Sequence, residues 1–462
     1  MRKKKSSIGV RSSDMWERLD SSMCVKEGLP AGSDVNGQKE LEICRGRTPG
    51  RKVVLLGERG TKRTIYLEQA ARKIGLPVFF IEWAHFKDLW DEGFRDALIK
   101  IDPPVWDSCD LEEMDRLVRG YKEKLEILAD LQERQGACFL DHPLAIRDLL
   151  DKRSCKKRLV QAGLPVTEQV AVTGQGAGWP TQERIGTTDQ LLEKMAAKKI
   201  CQVFIKPLNG SGAAGTAAFR WDLRTGRMML YTCALLDTGL LPDPGARLDQ
   251  SAPSVHPALS CRGISPDPRT LLPSGVPEQF PVRLLNTKRL RQASKEEEIR
   301  PLLDRLLKTG CIVERWYAKA SHGAFSYDLR AVVQGGELDF LLARLSRGPI
   351  TNLHLNNHPL EASALGLSDV VLEQIEELCR KAVACYPGLW SAGIDILLER
   401  GSLKPRIIEM NGQGDLLYQD IYGENRIYGH QAEWMKRQAG IGQKNRGWSW
   451  RDKERAEMRD GR

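Results

Sequence analysis

The sequence predicts an α/β domain followed by a larger α+β region. Three observations carry this prediction. An apolar run, a helical pattern and a second apolar run follow one another near the start, which is typical of a β-α-β unit. A glycine-rich loop then follows an apolar strand, and farther along two apolar strands joined by a short turn carry acidic residues. With 462 residues, the chain is long enough for two or three domains.

The composition is that of an ordinary globular protein and excludes several classes. Apolar residues make up 41 % and charged residues 28 %, so bulk disorder is excluded. The 70 Lys and Arg exceed the 61 Asp and Glu by 9, a bias too mild to indicate a nucleic-acid partner. The 11 cysteines form no C-x-x-C pair, which favours reduced thiols and a cytoplasmic location. The absence of a long apolar run predicts no secretory signal and no membrane partner.

The first 143 residues are predicted to form a leader and an α/β domain. Residues 1–50 are polar and show no lasting period, which predicts a flexible leader. The domain at 51–143 begins with the strand VVLLG, a helix and the strand VFFIEW, and this order implies a parallel sheet. The loop GERG after the first strand is interpreted as a strand-to-helix turn, because one G-x-x-G is a weak phosphate-loop signal. A helical pattern covers 111–135.

The ranges 144–312 and 313–432 follow, with a charged tail at 433–462; the family resemblance given below implies that the two ranges are two lobes. A helix is expected at 146–161, and a dense run of Pro, Gly and Ser at about 240–283 predicts a surface insertion within the first lobe. Regular structure is expected to return at 295–308 and to continue through several strands and a helix at 368–385. The tail mixes charges of both signs, which favours a solvated helix over a nucleic-acid-binding arm.

The segment VFIKPLNGSGAAGT, residues 203–216, is the first that carries chemistry. An apolar strand leads to Lys206, and Gly210, Gly212 and Gly215 permit positive φ and close backbone approach. Such a loop can fold its N–H groups over a triphosphate while Lys206 neutralises phosphate charge. The Walker A pattern is absent. A glycine-rich hairpin with a lysine at its edge is the alternative interpretation of this segment.

The segment AGIDILLERGSLKPRIIEMNGQGDL, residues 392–416, is predicted to form two strands joined by a Gly-Ser turn. Alternation places Glu409 and Asn411 on one face of the second strand, with Asp395 across from them on the first. Three oxygen ligands that converge in this way suit Mg²⁺. Two carboxylates on an otherwise apolar hairpin would also repel each other unless a cation lay between them.

Two competing interpretations are disfavoured. Both hairpin carboxylates could face solvent, but Ile408 and Met410 are expected to occupy the opposite, core-facing side. His354 and His358 lie four residues apart and could suggest a zinc pair. Pro359 follows at once and no H-E-x-x-H pattern is present, so ordinary loop histidines are favoured.

Together the glycine-rich loop and the acidic hairpin resemble the ATP-grasp superfamily, over roughly residues 141–422. The segment 313–357 is most similar to the branch that adds glutamate to ribosomal protein tails, with its glutathione-synthetase-like relatives. The resemblance implies a parallel-sheet pre-ATP-grasp domain followed by a two-lobed ATP-grasp domain. It also implies ATP and Mg²⁺ as cofactors, with Mn²⁺ as an alternative ion.

The resemblance extends to individual residues. DLLDKRSCKKRLVQAGLPV resembles the family's entry helix, and IVERWYAKA resembles its hinge strand. The nucleotide-binding set that this implies is Lys152, Lys206, Gly210, Ser211, Gly212, Gly215, Glu314, Trp316 and Tyr317. The metal set is Asp395, Glu409 and Asn411, and the catalytic set is Arg330, Arg344 and Lys206. The substrate set is Asp328, Arg347, Asn352 and His354.

The sequence also departs from this family. Ile350 and Thr351 stand where relatives have arginine and serine, and Asn356 and Asn357 stand where they have glycines, so acceptor specificity does not transfer. The implied activity is ATP- and Mg²⁺-dependent ligation of a small-molecule or peptide carboxylate to an amine through an acylphosphate. The alternatives are a nucleotide-binding module without turnover and a phosphotransferase on the same scaffold. A homo-oligomer is compatible with the sequence.

Overall fold

The computed structural model describes residues 50–106, 108–173, 184–210, 213–237, 282–413 and 425–441. The predicted leader, nearly all of the predicted insertion and the end of the predicted tail lie outside these ranges. Within them the chain forms eight α-helices and three β-sheets. One sheet is parallel and the other two are mainly antiparallel, which confirms the predicted α/β plus α+β class.

The first sheet is parallel, with strand order β2-β1-β3-β4. Its strands are β1 (Val53–Gly57), β2 (Val78–Glu82), β3 (Leu98–Ile101) and β4 (Cys138–Phe139). The predicted helix between β1 and β2 is α1 (Lys62–Lys73), and the predicted long helix is α2 (Leu111–Gln135). Asp110 caps α2 by accepting hydrogen bonds from the first backbone amides of the helix, an arrangement that favours helix initiation.

The helix predicted at 146–161 is two helices. The first is α3 (Pro143–Leu149) and the second is α4 (Lys152–Gln161). Asp151 lies between them with extended backbone, and its carboxylate accepts from the backbone amides of Arg153 and Ser154 at 2.9 and 3.1 Å. Capping by Asp151 therefore starts a new helix at Lys152, which turns the first residue of α4 toward the cleft described below.

The second sheet has the strand order β10-β9-β8-β7-β11-β5-β6. The strands are β5 (Gln169–Thr173), β6 (Arg184–Ile185), β7 (Gln202–Pro207), β8 (Ala217–Trp221), β9 (Met228–Asp237), β10 (Arg283–Ala293) and β11 (Cys311–Arg315). Helices α5 (Thr188–Ala197) and α6 (Glu296–Lys308) cover one face, where their apolar residues join the sheet in one core. Strand β9 pairs with β10, which follows the predicted insertion in the chain.

The third sheet has the strand order β15-β14-β13-β16-β17, with β12 paired to β13. The strands are β12 (Ser321–His322), β13 (Phe325–Gln334), β14 (Glu337–Ser346), β15 (His358–Glu361), β16 (Ser391–Leu398) and β17 (Pro405–Asn411). Helix α7 (Asp369–Ala384) packs on the apolar face together with α3 and α4. The opposite face carries the charged residues of the candidate site. Short 3-10 turns lie at Trp83–Trp90, Glu92–Phe94, Leu353–Leu355 and Ala362–Leu365.

The last described helix, α8 (Arg426–Gln438), returns to the first sheet. Ile427, Met435 and Ala439 are buried there in a core that also contains Val53 and Leu67. The expected boundary between the second lobe and the tail, at 432/433, therefore lies inside a packed helix. Its apolar positions recur with helical spacing and need a partner, which the parallel sheet supplies.

The described part of the chain has two further general features. None of its helices has the length and apolar character needed to cross a bilayer. Its cysteines are all free thiols, as the scattered spacing predicted.

Asp141 joins the first sheet to the third. Its Oδ1 accepts hydrogen bonds from the backbone amides of Trp390 and Ser391 at 2.8 and 2.7 Å. Burial raises the pKa of Asp141 from 3.8 to about 7, against the opposing effect of these amides and of Lys100. Because the folded state then binds the Asp141 proton more tightly than the unfolded chain, the stability that this proton contributes is present below pH 3.8. It is lost as the pH rises toward about 7.

We expect Asp141→Asn to flatten the fall in the free energy of unfolding between pH 4 and 7. The amide oxygen still accepts from the two backbone amides, and the ionisable group is gone. Urea unfolding at several pH values measures this slope, with Asp91→Asn, an exposed carboxylate in the same domain, as the control. If Asp141→Asn and the wild-type protein show the same slope, Asp141 does not carry the effect.

Candidate functional site

A cleft lies between the second and third sheets. Strand alternation places its side chains: on β7, Val203 and Ile205 are fully buried in the core, while Phe204 and Lys206 face the cleft. Other lining residues with charged side chains are Lys152, Glu314, Arg315, Lys319, Asp328, Arg344, Asp395 and Glu409. The cleft therefore brings together groups from both lobes that are far apart in the sequence.

Glu314 lies between two buried lysines on the second-sheet side. Its Oε2 accepts from Lys206 Nζ at 2.7 Å, and its Oε1 accepts from Lys156 Nζ. Burial alone would raise the pKa of Glu314, but the charges of Lys156 and Lys206 outweigh it and lower this pKa to about 2. Burial likewise disfavours the charged form of Lys206, yet Glu314 and the hairpin carboxylates raise the pKa of Lys206 above its usual value. Glu314 and Lys206 are therefore charged at neutral pH. Burial lowers the pKa of Lys156 from its usual value, against the opposing effect of the Glu314 charge.

Asp395 is held by two arginines on the third-sheet side. Its Oδ1 accepts from Arg330 Nε at 2.5 Å, and its Oδ2 accepts from Arg344 Nη2 at 3.0 Å. Only 2 % of Asp395 is exposed. Burial opposes ionisation, but the two guanidinium groups hold the pKa of Asp395 below its usual range. Its negative charge is thus already compensated by the protein.

Asp328 extends the same buried network. Arg344 Nε donates to its Oδ1 at 2.8 Å, Lys319 Nζ lies 3.3 Å from Oδ2, and the Thr351 hydroxyl donates to Oδ2. Despite its burial, the charges of Arg344 and Lys319 lower the pKa of Asp328 strongly. Arg344 therefore bridges Asp328 and Asp395 and joins three strands of the sheet.

A β-bulge on β17 aims two consecutive side chains into the cleft. Asp395 pairs with Glu409 and Ile396 pairs with Ile407, so Ile408 is an extra residue between them. Ile407 takes the core position, fully buried, and Ile408 lines the cleft. The expectation that Ile408 would face the core was therefore wrong, because strict alternation does not hold across a bulge.

The predicted juxtaposition of the two hairpin carboxylates is present, but one reason given for a metal is wrong. Asp395 and Glu409 are directly opposite and both line the cleft. Arg330 and Arg344 compensate Asp395, so no cation between the carboxylates is needed to offset their repulsion. Among the described residues, no group of three or more His, Cys, Asp or Glu side chains is placed to hold a metal ion.

Glu409 is the hairpin carboxylate that fits a divalent ion best. It is half-buried, and no ion pair joins it to another described residue. Asn411 lies two residues along the same strand, opposite Gly393, and is not part of the cleft lining. A free carboxylate oxygen with a second carboxylate opposite is a donor set suited to Mg²⁺ that keeps waters and phosphate oxygens as its other ligands.

The glycine-rich loop forms one end of the cleft. Lys152 Nζ donates to the carbonyl of Gly210 at 2.6 Å, and both residues line the cleft. Gly210 has φ 139°, a conformation that favours glycine. Gly215, with φ 66°, does not line the cleft. A Cβ at Gly215 would lie 2.7 Å from Leu111, so this glycine allows close packing against α2.

Of the three residues predicted on the hinge strand, Glu314 and a second residue line the cleft. Tyr317 lines the cleft, but Trp316 does not. The Trp316 amide donates to the carbonyl of Gln202 at 3.1 Å, and its carbonyl accepts from Gln202 Nε2 at 3.0 Å. The Trp316 ring packs on Phe204, with the ring centroids 5.4 Å apart. Trp316 thus supports the wall, and Phe204 presents its ring to the cleft.

The other predicted residues separate into three groups. Arg344, Asp328 and Asn352 line the cleft. Arg330 lies behind Asp395, and Arg347 is exposed, with its guanidinium 5.2 Å from the ring centroid of Phe325. Ser211, Gly212 and the His354 side chain lie outside the described residues.

Sequence reasoning missed several residues of the site. Lys156 contacts Glu314. Lys319 contacts Asp328 and also donates to the Thr351 hydroxyl, from which its Nζ lies 2.8 Å away. Lys156 had a signal: it lies four residues after Lys152 and so shares its helix face. Lys319 had none, since a single lysine in a loop carries no pattern.

An apolar slot completes the cleft. Phe204 and Ala214 line it from the second-sheet side, and Leu397 and Ile408 line it from the third. A flat apolar group can insert between these side chains while an attached anion reaches the lysines. The arrangement therefore suits a ligand with an aromatic part and a polyanionic part.

Comparisons with solved structures find a likeness to ATP-grasp ligases. The ligase PsnB, complexed with the precursor peptide PsnA2 and AMPPNP, shares 13 % identity at a TM-score of 0.45, over 85 % of this chain and 99 % of PsnB. D-alanine–D-alanine ligase from Bacillus anthracis, complexed with ATP, shares 10 % identity at a TM-score of 0.45, over 85 % of this chain and 99 % of the ligase. A RimK-domain ATP-grasp protein from Sphaerobacter thermophilus shares 14 % identity at a TM-score of 0.42, over 83 % of this chain and 99 % of that protein.

Sequence comparisons add nothing to this likeness. No protein-family model matches the chain, and no curated protein matches it. At these identities and TM-scores, the likeness says nothing about function, so the residues of the cleft must carry the functional proposal.

Proposed function

We propose that the protein is an ATP- and Mg²⁺-dependent ligase that joins a carboxylate to an amine. The observation that carries the proposal is that Lys206 and Glu409 line one cleft from different sheets, beside an apolar slot. Lys206 offers a buried positive charge to a phosphate, and Glu409 offers an oxygen to a divalent ion. A magnesium nucleotide presents both partners at once, and its base is a flat group of the kind that an apolar slot can take.

The ligation proceeds in two balanced steps. A carboxylate oxygen of the acid attacks the γ-phosphorus of ATP, and the bond from that phosphorus to the ADP oxygen breaks. The amine nitrogen then attacks the acyl carbon, phosphate leaves with the C–O bond electrons, and the nitrogen loses a proton to solvent. The protein supplies positioning and charge neutralisation rather than a nucleophile of its own.

The chain's own residues have distinct tasks in these steps. Lys152 and Lys206 bind the phosphates from the second-sheet side. Arg344 and Lys319 lie at the opposite wall, where they stabilise negative charge on the transferring phosphoryl group and on the acid. Arg330 holds Asp395 in place from behind the wall and does not reach the cleft. The predicted catalytic role of Arg330 therefore becomes a supporting one.

Glu409, with Asp395 opposite, would hold the magnesium ion, whereas Asn411 lies two residues along the strand and outside the cleft lining. When bound, Mg²⁺ neutralises phosphate charge and orients the phosphates. Mn²⁺ has the same preference for oxygen ligands and is expected to substitute. Asn352 lines the cleft beside Thr351 and is the side chain placed to contact the acid or the amine.

Phosphate release that requires both an acid and an amine tests this proposal. The protein is incubated with ATP, Mg²⁺ and pooled carboxylates, with and without pooled amines, and free phosphate and ADP are measured. We expect free phosphate only when both pools are present. Formation of ADP with a phosphorylated acid and no dependence on amine would indicate a phosphotransferase. Binding of MgATP without any turnover would indicate a binding module.

A further inference from the structure

Lys156 is a buried lysine that the two steps above do not use. It is 5 % exposed and lies on α4, one turn after Lys152. It lines a small second cavity together with Glu314, Lys206 and Glu409, and it is not part of the main cleft lining. A buried lysine outside the main cleft lining calls for another role, since burying a charge is costly unless it is paired.

The hydrogen bonds of Lys156 and Lys206 differ in number. An ammonium group has three donors. Lys156 Nζ donates to Glu314 Oε1, to the Thr167 hydroxyl and to the Thr167 carbonyl, the last at 3.0 Å, so all three donors have acceptors. For Lys206 Nζ, the described residues supply a single acceptor, Glu314 Oε2. Lys156 is therefore fixed, whereas Lys206 keeps donors for a ligand in the cleft.

Glu314 uses a different oxygen for each lysine. When Lys206 turns toward a phosphate, Oε2 loses its partner, while Oε1 keeps Lys156. Without Lys156, the carboxylate would be left as an uncompensated buried charge beside a polyanion. It would then hold Lys206 more strongly and repel the phosphates.

We propose that Lys156 is a positioning residue that serves as the permanent counter-charge of Glu314 and so frees Lys206 to bind the nucleotide phosphates. This inference rests on the proposed function, because it needs a phosphate ligand in the cleft. Lys156 acts through Glu314 alone and does not touch the nucleotide.

A double-mutant cycle tests the role of Lys156, with MgAMPPNP affinity measured by calorimetry as the readout. We expect Lys156→Met to weaken binding at least about tenfold, or about 1.4 kcal/mol. In a Glu314→Gln background, the same change should alter affinity by less than about twofold, because the charge that Lys156 balances is gone. Lys156→Arg keeps the charge and should bind nearly as tightly as the wild-type protein. Lys157→Met, an exposed neighbour, is the matched control.

Each outcome of this cycle decides the proposal. Equal losses of MgAMPPNP affinity in both backgrounds would mean that Lys156 contacts the nucleotide directly. An unchanged affinity in Lys156→Met would mean that Lys156 has a structural role only. Either result overturns the inference. If Lys156→Met does not fold, the comparison of Glu314→Gln with the double variant still shows whether Lys156 acts without Glu314. A wild-type protein that binds no MgAMPPNP would overturn the proposed function itself.

Discussion

Glu409→Gln is expected to reduce turnover by at least about 100-fold, which corresponds to about 2.7 kcal/mol of transition-state stabilisation. Glutamine keeps the size of the side chain and one oxygen but removes the charge that would hold a divalent ion. Glu409 is half-buried on the bulge of β17 and is joined by no ion pair to the described residues, so the fold should not depend on its charge. Phosphate release at saturating ATP measures the loss, and thermal unfolding checks the fold.

The magnesium dependence separates this explanation from a general loss of activity. In Glu409→Gln, the residual rate should need a higher Mg²⁺ concentration to saturate. Glu361→Gln is the matched control, because Glu361 is an exposed carboxylate on an outer strand of the same sheet. Activity within twofold of wild type in Glu409→Gln would remove this residue from the site.

Arg344→Leu is expected to destabilise the protein by about 3–5 kcal/mol, the usual cost of breaking a buried ion pair from one side. Arg344 is 1 % exposed and donates to both Asp328 and Asp395. Its loss leaves Asp328 with Lys319 and Asp395 with Arg330 as their remaining cationic partners. Urea unfolding measures the change in the free energy of unfolding.

The position of Arg344, rather than its charge alone, should determine this effect. Arg380→Ala removes an exposed arginine that pairs with Glu377 at 2.7 Å on the surface of α7, and we expect no measurable change. A loss below about 1 kcal/mol in Arg344→Leu would show that Arg330 and Lys319 suffice to compensate both aspartates.

Local patterns were sufficient for the elements and for part of the site. The β-α-β start, the long helix from Leu111 and the hairpin that carries Asp395 and Glu409 were all predicted at nearly the observed bounds. Each depends on a short-range period, either of two residues for strands or of 3.6 for helices. The cleft position of Lys206 followed from the strand before the glycine-rich loop, whereas Lys152 was expected only from the family resemblance.

The two differences arose where local periodicity was interrupted and where the packing partner was distant in the sequence. Ile408 was assigned to the core, but the bulge opposite Asp395 turns it into the cleft. Helix α8 crosses the expected domain boundary because its apolar face packs on the first sheet, more than 350 residues away in sequence, as the hydrogen bond between Asn425 and Tyr66 also shows. Neither a bulge nor a distant packing partner leaves a periodic signal.

The sequence alone indicated Lys206 and the hairpin carboxylates as candidates for phosphate and metal binding, since lysine and carboxylate chemistry is a property of the residues and their spacing. Only the tertiary structure decided which charges are already compensated. Arg330 and Arg344 compensate Asp395, and Lys156 compensates Glu314. Among the described residues, Glu409 has no ion pair. Ion pairing depends on distances between strands and helices that are separate in the chain. A sequence pattern fixes the order of residues along the chain and does not fix those distances.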